Sequence, residues 1–308
     1  MFWSVLVVIP PLSGWLADRN LNFNGKFFTT YQVGINGTAM IFIVVATLTA
    51  IGPESAMASM LPFMIILWLI GMSVFLAPAY SMLSSFADKR KLPIAMGVII
   101  LFTDMIYALE PLVVTLVQFL GETITFVTGG ILVLGSGFLF YRLSSGQVTE
   151  RIQRTSQARD TRSEWKTVIG IALTLGFGRA FLVEYIPWQS QLEGLSGKEL
   201  SFVLLGLAAI VAFLCSRFVI RTGIHKMIRY STFIMLLGIS IMAVCGPNPV
   251  LFLAGCLLLA GAFGILNVSG LPYVFSRISA RRATFAIGVF LGASAVFEGI
   301  FEILIGLY

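Results

Sequence analysis

Residues 60–91 read MLPFMIILWLIGMSVFLAPAYSMLSSFADKRK. The apolar part, Met60–Ser84, is long enough to cross a hydrocarbon core as a helix, which takes about 20 residues. It stops at three consecutive cations, Lys89, Arg90 and Lys91. The same alternation of apolar run and basic connection extends in both directions. Towards the N-terminus lie Phe27–Ile51 and a short run, Phe2–Leu16, separated by a connection that holds Arg19 and Lys26. Towards the C-terminus come Ile94–Leu120, Ile124–Tyr141, Val168–Trp188, Phe202–Ile220, Met227–Val244, Val250–Phe275 and Ala283–Tyr308. Their lengths, and the lack of period-2 alternation, make them helices rather than barrel strands.

Charge sets the orientation. Eighteen of the 20 Lys and Arg residues fall on alternate connections: with those already named, Arg142 through Lys166, Arg217 through Arg229, and Arg277, Arg281 and Arg282. The opposite connections carry only Lys198, and Arg179 lies inside an apolar run. Cationic flanks resist translocation, so the basic side is expected to be cytoplasmic. The chain is 58% hydrophobic and 11% charged, far from the composition of a soluble domain. Its net charge of +6 reads as topology and contact with anionic lipid headgroups, not as a nucleic-acid surface. Trp3, Trp15, Trp165 and Trp188 sit near segment ends, as an interfacial belt requires.

The fold class read from this pattern is an all-α polytopic membrane protein of about ten transmembrane helices in two pseudo-symmetric halves. The longest polar stretch, Ser144 to Trp165, separates five segments from five. The expected organisation is a bundle over 1–143, a cytoplasmic central loop over 144–166, and a second bundle over 167–308. The halves share a pattern. Pro78-Ala79-Tyr80 leads through Lys89-Arg90-Lys91 to Ala95-Met96-Gly97-Val98; Pro272-Tyr273 leads through Arg281-Arg282 to Ala286-Ile287-Gly288-Val289. Pairing the third segment with the ninth implies a six-segment repeat. That predicts one helix before Met1 and another after Tyr308.

On these features the chain resembles a major facilitator superfamily transporter over helices two to eleven of twelve. The loop Gly14-Trp15-Leu16-Ala17-Asp18-Arg19, followed by Gly25-Lys26, is similar to that family's G-x-L-A-D-R/K-x-G-R/K signature, with Asn20 to Asn24 as an insertion. A degenerate copy stands at Arg221-Thr222-Gly223-Ile224-His225-Lys226. The resemblance implies a gating latch at Gly14, Asp18, Arg19, Gly25 and Lys26, with Asp18 capping a helix N-terminus or pairing with an arginine. It also implies a central cavity lined by helices one, four, seven and ten. That nominates Trp68 and Tyr80, Arg179 and Glu184, and Asn267. Two family features are missing: an Arg before Gly71 and a Gly-Pro-rich motif around Thr103–Pro111. Both absences weigh against a drug–proton antiporter and favour a uniporter or symporter.

Ionisable groups inside membrane helices are costly and face cavities or partners. The chain places Asp104 and Glu110 in one helix, Arg179 and Glu184 in another, and Glu298 and Glu302 in the last. Glu298 and Glu302 are four apart and share a helical face, where one carboxyl would hold a proton. Arg179 could neutralise Asp104 or Glu298, or bind an anionic group of the solute. Asp104, Arg179, Glu298 and Glu302 are therefore the coupling candidates. Five acids against one Arg point to a neutral or cationic solute. Gly34 with Gly37, Gly129 with Gly130, and Gly261 with Gly264 read as helix-packing sites.

No Walker-type phosphate loop is present, and the single histidine, His225, has no neighbouring ligand residues in sequence. Cys215, Cys245 and Cys256 lie in or beside apolar runs and form no CxxC. No cofactor, metal, nucleic acid or enzymatic chemistry is expected. The reading is a multi-pass protein of the plasma (inner) membrane that moves a small solute by alternating access, with protons as a possible partner. A lipid or amphiphile transporter of the same fold is the first alternative. A non-transporting receptor or assembly factor is the second.

Overall fold

The computed structural model describes residues 2–24, 28–51, 60–88, 90–144, 162–190, 197–244 and 248–305. The helices are α1 (Phe2–Asn24), α2 (Phe28–Ile51), α3 (Leu61–Ser81), α4 (Leu92–Ala108), α5 (Glu110–Leu120) and α6 (Glu122–Ser144). They continue as α7 (Arg162–Ala180), α8 (Gly197–Thr222), α9 (Ile224–Val244), α10 (Pro249–Arg277) and α11 (Ala283–Ile305). Among the described residues, eight helices are long and apolar enough to cross a membrane, or nine if α4 and α5 form one broken span. The apolar part of α1, Phe2–Leu16, is shorter.

Helix ends follow local chemistry. Pro62 and Pro93 stand in the first turns of α3 and α4, where a missing N–H costs nothing. Asn248 caps α10: its Oδ1 accepts from the N–H of Val250 (3.1 Å) and Leu251 (3.3 Å). Gly223, at φ +95°, separates α8 from α9 in the left-handed conformation that glycine adopts without strain. The expected single segment Ile94–Leu120 is broken at Leu109, and Glu110-Pro111 opens a new helix. Proline cannot donate to the preceding turn, so the break falls where the sequence removes that hydrogen bond.

By contacts the chain forms two compact units. The first comprises Met1–Phe86, Pro111–Arg159 and Ile278–Gly292; the second comprises Ala87–Glu110, Asp160–Arg277 and Ala293–Tyr308. In the first unit, α2 packs against α3 and α6, and α1 against α3. Gly71 and Gly34 make the α2–α3 approach close, because a Cβ at either would collide with Thr38 or Phe75. Tyr31 meets the rings of Phe75 (6.3 Å) and Phe140 (5.1 Å). On α6, Ile131, Leu132 and Phe138 are about two-thirds exposed. That side of the helix makes sense only against lipid.

In the second unit, α10 is the hub, packing against α7, α8 and α9, while α4 lies along α8. Gly264 sits against the Ala208 backbone, and Gly238 and Gly255 face one another across α9 and α10. Small residues let these backbones approach where burying apolar surface gives no drive against lipid.

Candidate functional site

The polar cluster of the second unit begins with Arg179, in the last turn of α7. Its Nε lies 3.3 Å from Oε1 of Glu298 on α11. The Arg179 side chain is 39% exposed and that of Glu298 14%. The guanidinium also lies over the Tyr107 ring at 5.1 Å. Asp104, one turn earlier on α4, is within electrostatic reach of Arg179. Its direct partner is neutral: Asn267 Nδ2 donates to Asp104 Oδ2 over 3.4 Å. Four elements thus bring Asp104, Tyr107, Arg179, Asn267 and Glu298 together. Asp104, Tyr107, Arg179 and Asn267, with Ser294, border a cavity of about 50 Å³. It has room for a few waters at most.

Local geometry explains the arrangement. Directly after Arg179 the helix widens into a π turn, Phe181–Tyr185, before Ile186–Gln189 resumes α geometry. An α-helix would set Arg179 and Glu184 about 140° apart; a π turn holds more residues per turn and changes that angle. Glu184 is half-buried in this turn and feels the charges of Glu302 and Glu298. Glu302 itself is exposed. The two acids expected to share a face therefore occupy different surroundings, one ion-paired and one open. Behind the ion pair, Gly176 meets the Ser294 backbone, and the rings of Phe177 and Phe301 (6.0 Å) and of Phe181 and Phe301 (5.6 Å) join α7 to α11.

The first unit holds the other nominated residues. Asp18, beyond the apolar stretch of α1, is 5% exposed. Its carboxylate accepts from the N–H of Thr284 (3.3 Å) and of Phe285 (2.8 Å), the first residues of α11. This is a cap supplied from another helix, where the N-terminal N–H groups and the dipole favour an anion. Burial pushes the Asp18 carboxyl up from its ordinary 3.8 to about 6, against the lowering effect of those hydrogen bonds. Gly14 lies directly on the Thr284 backbone, while Gly288 and Gly292 sit on the carbonyls of Pro10 and Val7. α1 and α11 therefore run in backbone contact, with Asp18 at the basic end. Arg19 stacks on Trp15 at 5.4 Å. Gly25 and Lys26 lie outside the described residues.

Trp68 is half-buried on α3, edge-on to Phe42 at 5.8 Å. Its indole N–H and the hydroxyl of Thr38 are buried without a hydrogen-bond partner among the described residues. Tyr80 is half-buried near the basic end of the same helix. Sequence reasoning missed Tyr107, Ser294, Gly176 and the π turn. The Gly288-x-x-x-Gly292 spacing could have marked a close helix contact, though not α1 as its partner, because small residues four apart form one smooth helical strip. The sequence signal beside the π turn is Pro187, two residues past it, which has no N–H for the carbonyl four residues back.

Apolar helices long enough to cross a membrane, a partly buried charge cluster among them and an anion-capped helix near the basic end are features of a polytopic membrane protein. The profile of the Major Facilitator Superfamily matches residues 1–301, so the chain belongs to that family. Membership makes it a multi-pass secondary transporter and not an enzyme. No curated protein matches its sequence. Among solved structures it is similar to the crystal structure of the human organic anion transporter MFSD10 (TETRAN), with a TM-score of 0.67 and 15% identity. That match covers 100% of this chain and 76% of the other.

Proposed function

We propose that the chain carries a small solute by alternating access of bundles 1–143 and 167–308, coupled to protons through the cluster around Asp104. The observation that carries the coupling is the division of partners: Arg179 takes Glu298 as its ion pair, and Asp104 is left with Asn267. Two carboxylates and one guanidinium sum to −1 when all are ionised. One proton makes the cluster neutral, and a neutral cluster is the cheaper one to carry through an apolar environment. Asp104 is the natural site for that proton, because protonating Glu298 would break the ion pair. This supports proton symport over uniport and, of the two sequence candidates, Glu298 with Glu302 or Asp104, favours Asp104.

We further propose a neutral or cationic solute. The similar human protein is an organic anion transporter. Here the acids outnumber the single intramembrane Arg, and its pairing with Glu298 leaves little free positive charge to hold an anion. The half-buried Trp68, with its unpartnered N–H, supports a ring- or hydroxyl-bearing solute. The plasma (inner) membrane is the proposed location.

The test is solute-driven proton movement. The purified chain is reconstituted into vesicles that enclose a pH-sensitive dye. Panels of sugars, amino acids, organic cations and organic anions are then added without an imposed gradient. Internal acidification with a neutral or cationic class supports the reading. Entry of a labelled solute with no pH change leaves uniport. Movement restricted to organic anions overturns the solute class.

A further inference from the structure

A second cavity lies at the basic end of α1 and α11. It encloses about 460 Å³ and is lined by Trp15, Arg19, Phe23, Arg281, Arg282 and Phe285, among others. A neighbouring opening of about 410 Å³ shares Arg19 and Phe23 and continues along α1 past Leu16 and Asn20. Arg19 and Phe23, common to both, join the two into one groove along α1. The walls of the larger opening are apolar: Phe23 is 80% exposed and Trp15 46%, which is costly in water and favourable against a lipid. Its rim carries the exposed side chains of Arg19, Arg281 and Arg282. The one acid in the lining, Asp18, turns its carboxylate to the N-terminus of α11. The backbone that presents the two adjacent arginines is held by Asn22, which donates to the Arg281 carbonyl over 3.3 Å.

We propose that this groove is a binding site for one anionic phospholipid, its phosphate held by Arg19, Arg281 and Arg282 and its upper acyl chain laid along Trp15 and Leu16. An apolar trough with a cationic rim at the end of a membrane helix fits an amphiphile with a negative head. A zwitterionic lipid would bring a compensating cation against three guanidiniums. A soluble anion would leave the apolar walls unused. Guanidinium matches phosphate oxygens in paired hydrogen bonds, which a generic cationic surface does not provide. The bound head would lie against residues adjoining the Asp18 cap: Arg19 follows Asp18, and Arg282 stands two before Thr284. Occupancy would therefore hold α1 and α11 together from the outside, next to the contact that Asp18 makes.

The test uses the full chain in neutral detergent, titrated with short-chain phosphatidylglycerol, short-chain phosphatidylcholine, or inorganic phosphate, with the unfolding temperature as readout. Phosphatidylglycerol is expected to raise it saturably while phosphatidylcholine does not. In R19Q/R281Q/R282Q the half-saturating concentration should rise at least about tenfold. R19K/R281K/R282K, which keeps the charge and loses the paired geometry, should fall between. K226Q/R229Q, on the same basic side outside the groove, should respond like the parent. The unliganded unfolding temperature of each variant checks that it is folded. Three results overturn the proposal: equal stabilisation by phosphatidylcholine, an unchanged midpoint in the triple glutamine variant, or full reproduction of the effect by inorganic phosphate, which would assign the site to a soluble anion.

Discussion

Gly176→Ala is a single-methyl test of the packing beneath the Arg179–Glu298 pair. A Cβ at Gly176 would lie 2.7 Å from the Ser294 carbonyl carbon and 2.9 Å from its Cα. Ordinary carbon–carbon contact is about 3.5–4.0 Å, so α7 and α11 must separate by nearly 1 Å. The obstacle is backbone, and no rotamer change relieves it. Overpacking of this kind costs about 1–3 kcal/mol. In a large domain that lowers the unfolding temperature by a few degrees. Arg179 is three residues beyond Gly176 and Glu298 four beyond Ser294, so the pair rides on the same two helix faces. The same separation would stretch its 3.3 Å contact to about 4 Å, the limit of an ion pair. Gly170 is the internal control: it lies on the same helix, and a Cβ there meets nothing within 4 Å. Gly170→Ala should leave the unfolding temperature unchanged or raise it, since alanine is favoured over glycine in a helix by about 1 kcal/mol. Thermal unfolding of both variants in one detergent decides the matter. If Gly176→Ala is as stable as Gly170→Ala, the close approach of α7 and α11 is refuted.

Asp18→Ala should destabilise by about 0.5–2 kcal/mol, the usual cost of losing a helix cap, with Asp18→Asn closer to the parent. Burial raises the carboxyl to about 6, so its contribution is fully present below 3.8 and is lost as pH rises through 6. The parent should therefore gain stability over Asp18→Asn as pH falls from 7 to 5, and a difference that shrinks would show the carboxyl is not buried. Glu298→Gln strands a partly exposed guanidinium and should cost about 1–2 kcal/mol, below the cost for a fully buried pair. Adding Arg179→Gln should recover part of that loss, and strict additivity in thermal unfolding would mean the two side chains do not interact. Single cysteines at Arg90 and Lys198, in a background without Cys215, Cys245 and Cys256, should react with an impermeant thiol reagent from opposite sides of the membrane; labelling from the same side would contradict the orientation.

Much of the fold was legible because the bilayer imposes length and charge rules that each segment satisfies separately. Lys89-Arg90-Lys91 and Arg281-Arg282 mark the basic side wherever they stand in the chain. The glycine pairs marked packing helices but not which member makes the approach. Gly34 packs on Phe75 and Gly264 on Ala208, whereas Gly37 and Gly261 face open space, because that choice depends on rotation against a neighbour. Asp18 was legible as a helix cap in kind, but the helix it caps lies 266 residues away. At the charge cluster, the residue types were legible and the pairing was not. Arg179 had two acids within reach of its length, and only the relative placement of α4, α7 and α11 decides between them. Pro187 marked an irregular helix end, but not that the irregularity would be a π turn over Phe181–Tyr185.

The most direct test of proton coupling at Asp104 compares two transport modes in vesicles. One is accumulation of the transported solute driven by an imposed pH gradient; the other is exchange of labelled for unlabelled solute with no gradient. In Asp104→Asn the cluster stays permanently neutral and Asn267 keeps a partner, so exchange should persist while gradient-driven accumulation disappears. Accumulation at the parental level in Asp104→Asn, with the parent's dependence on pH, would contradict the account.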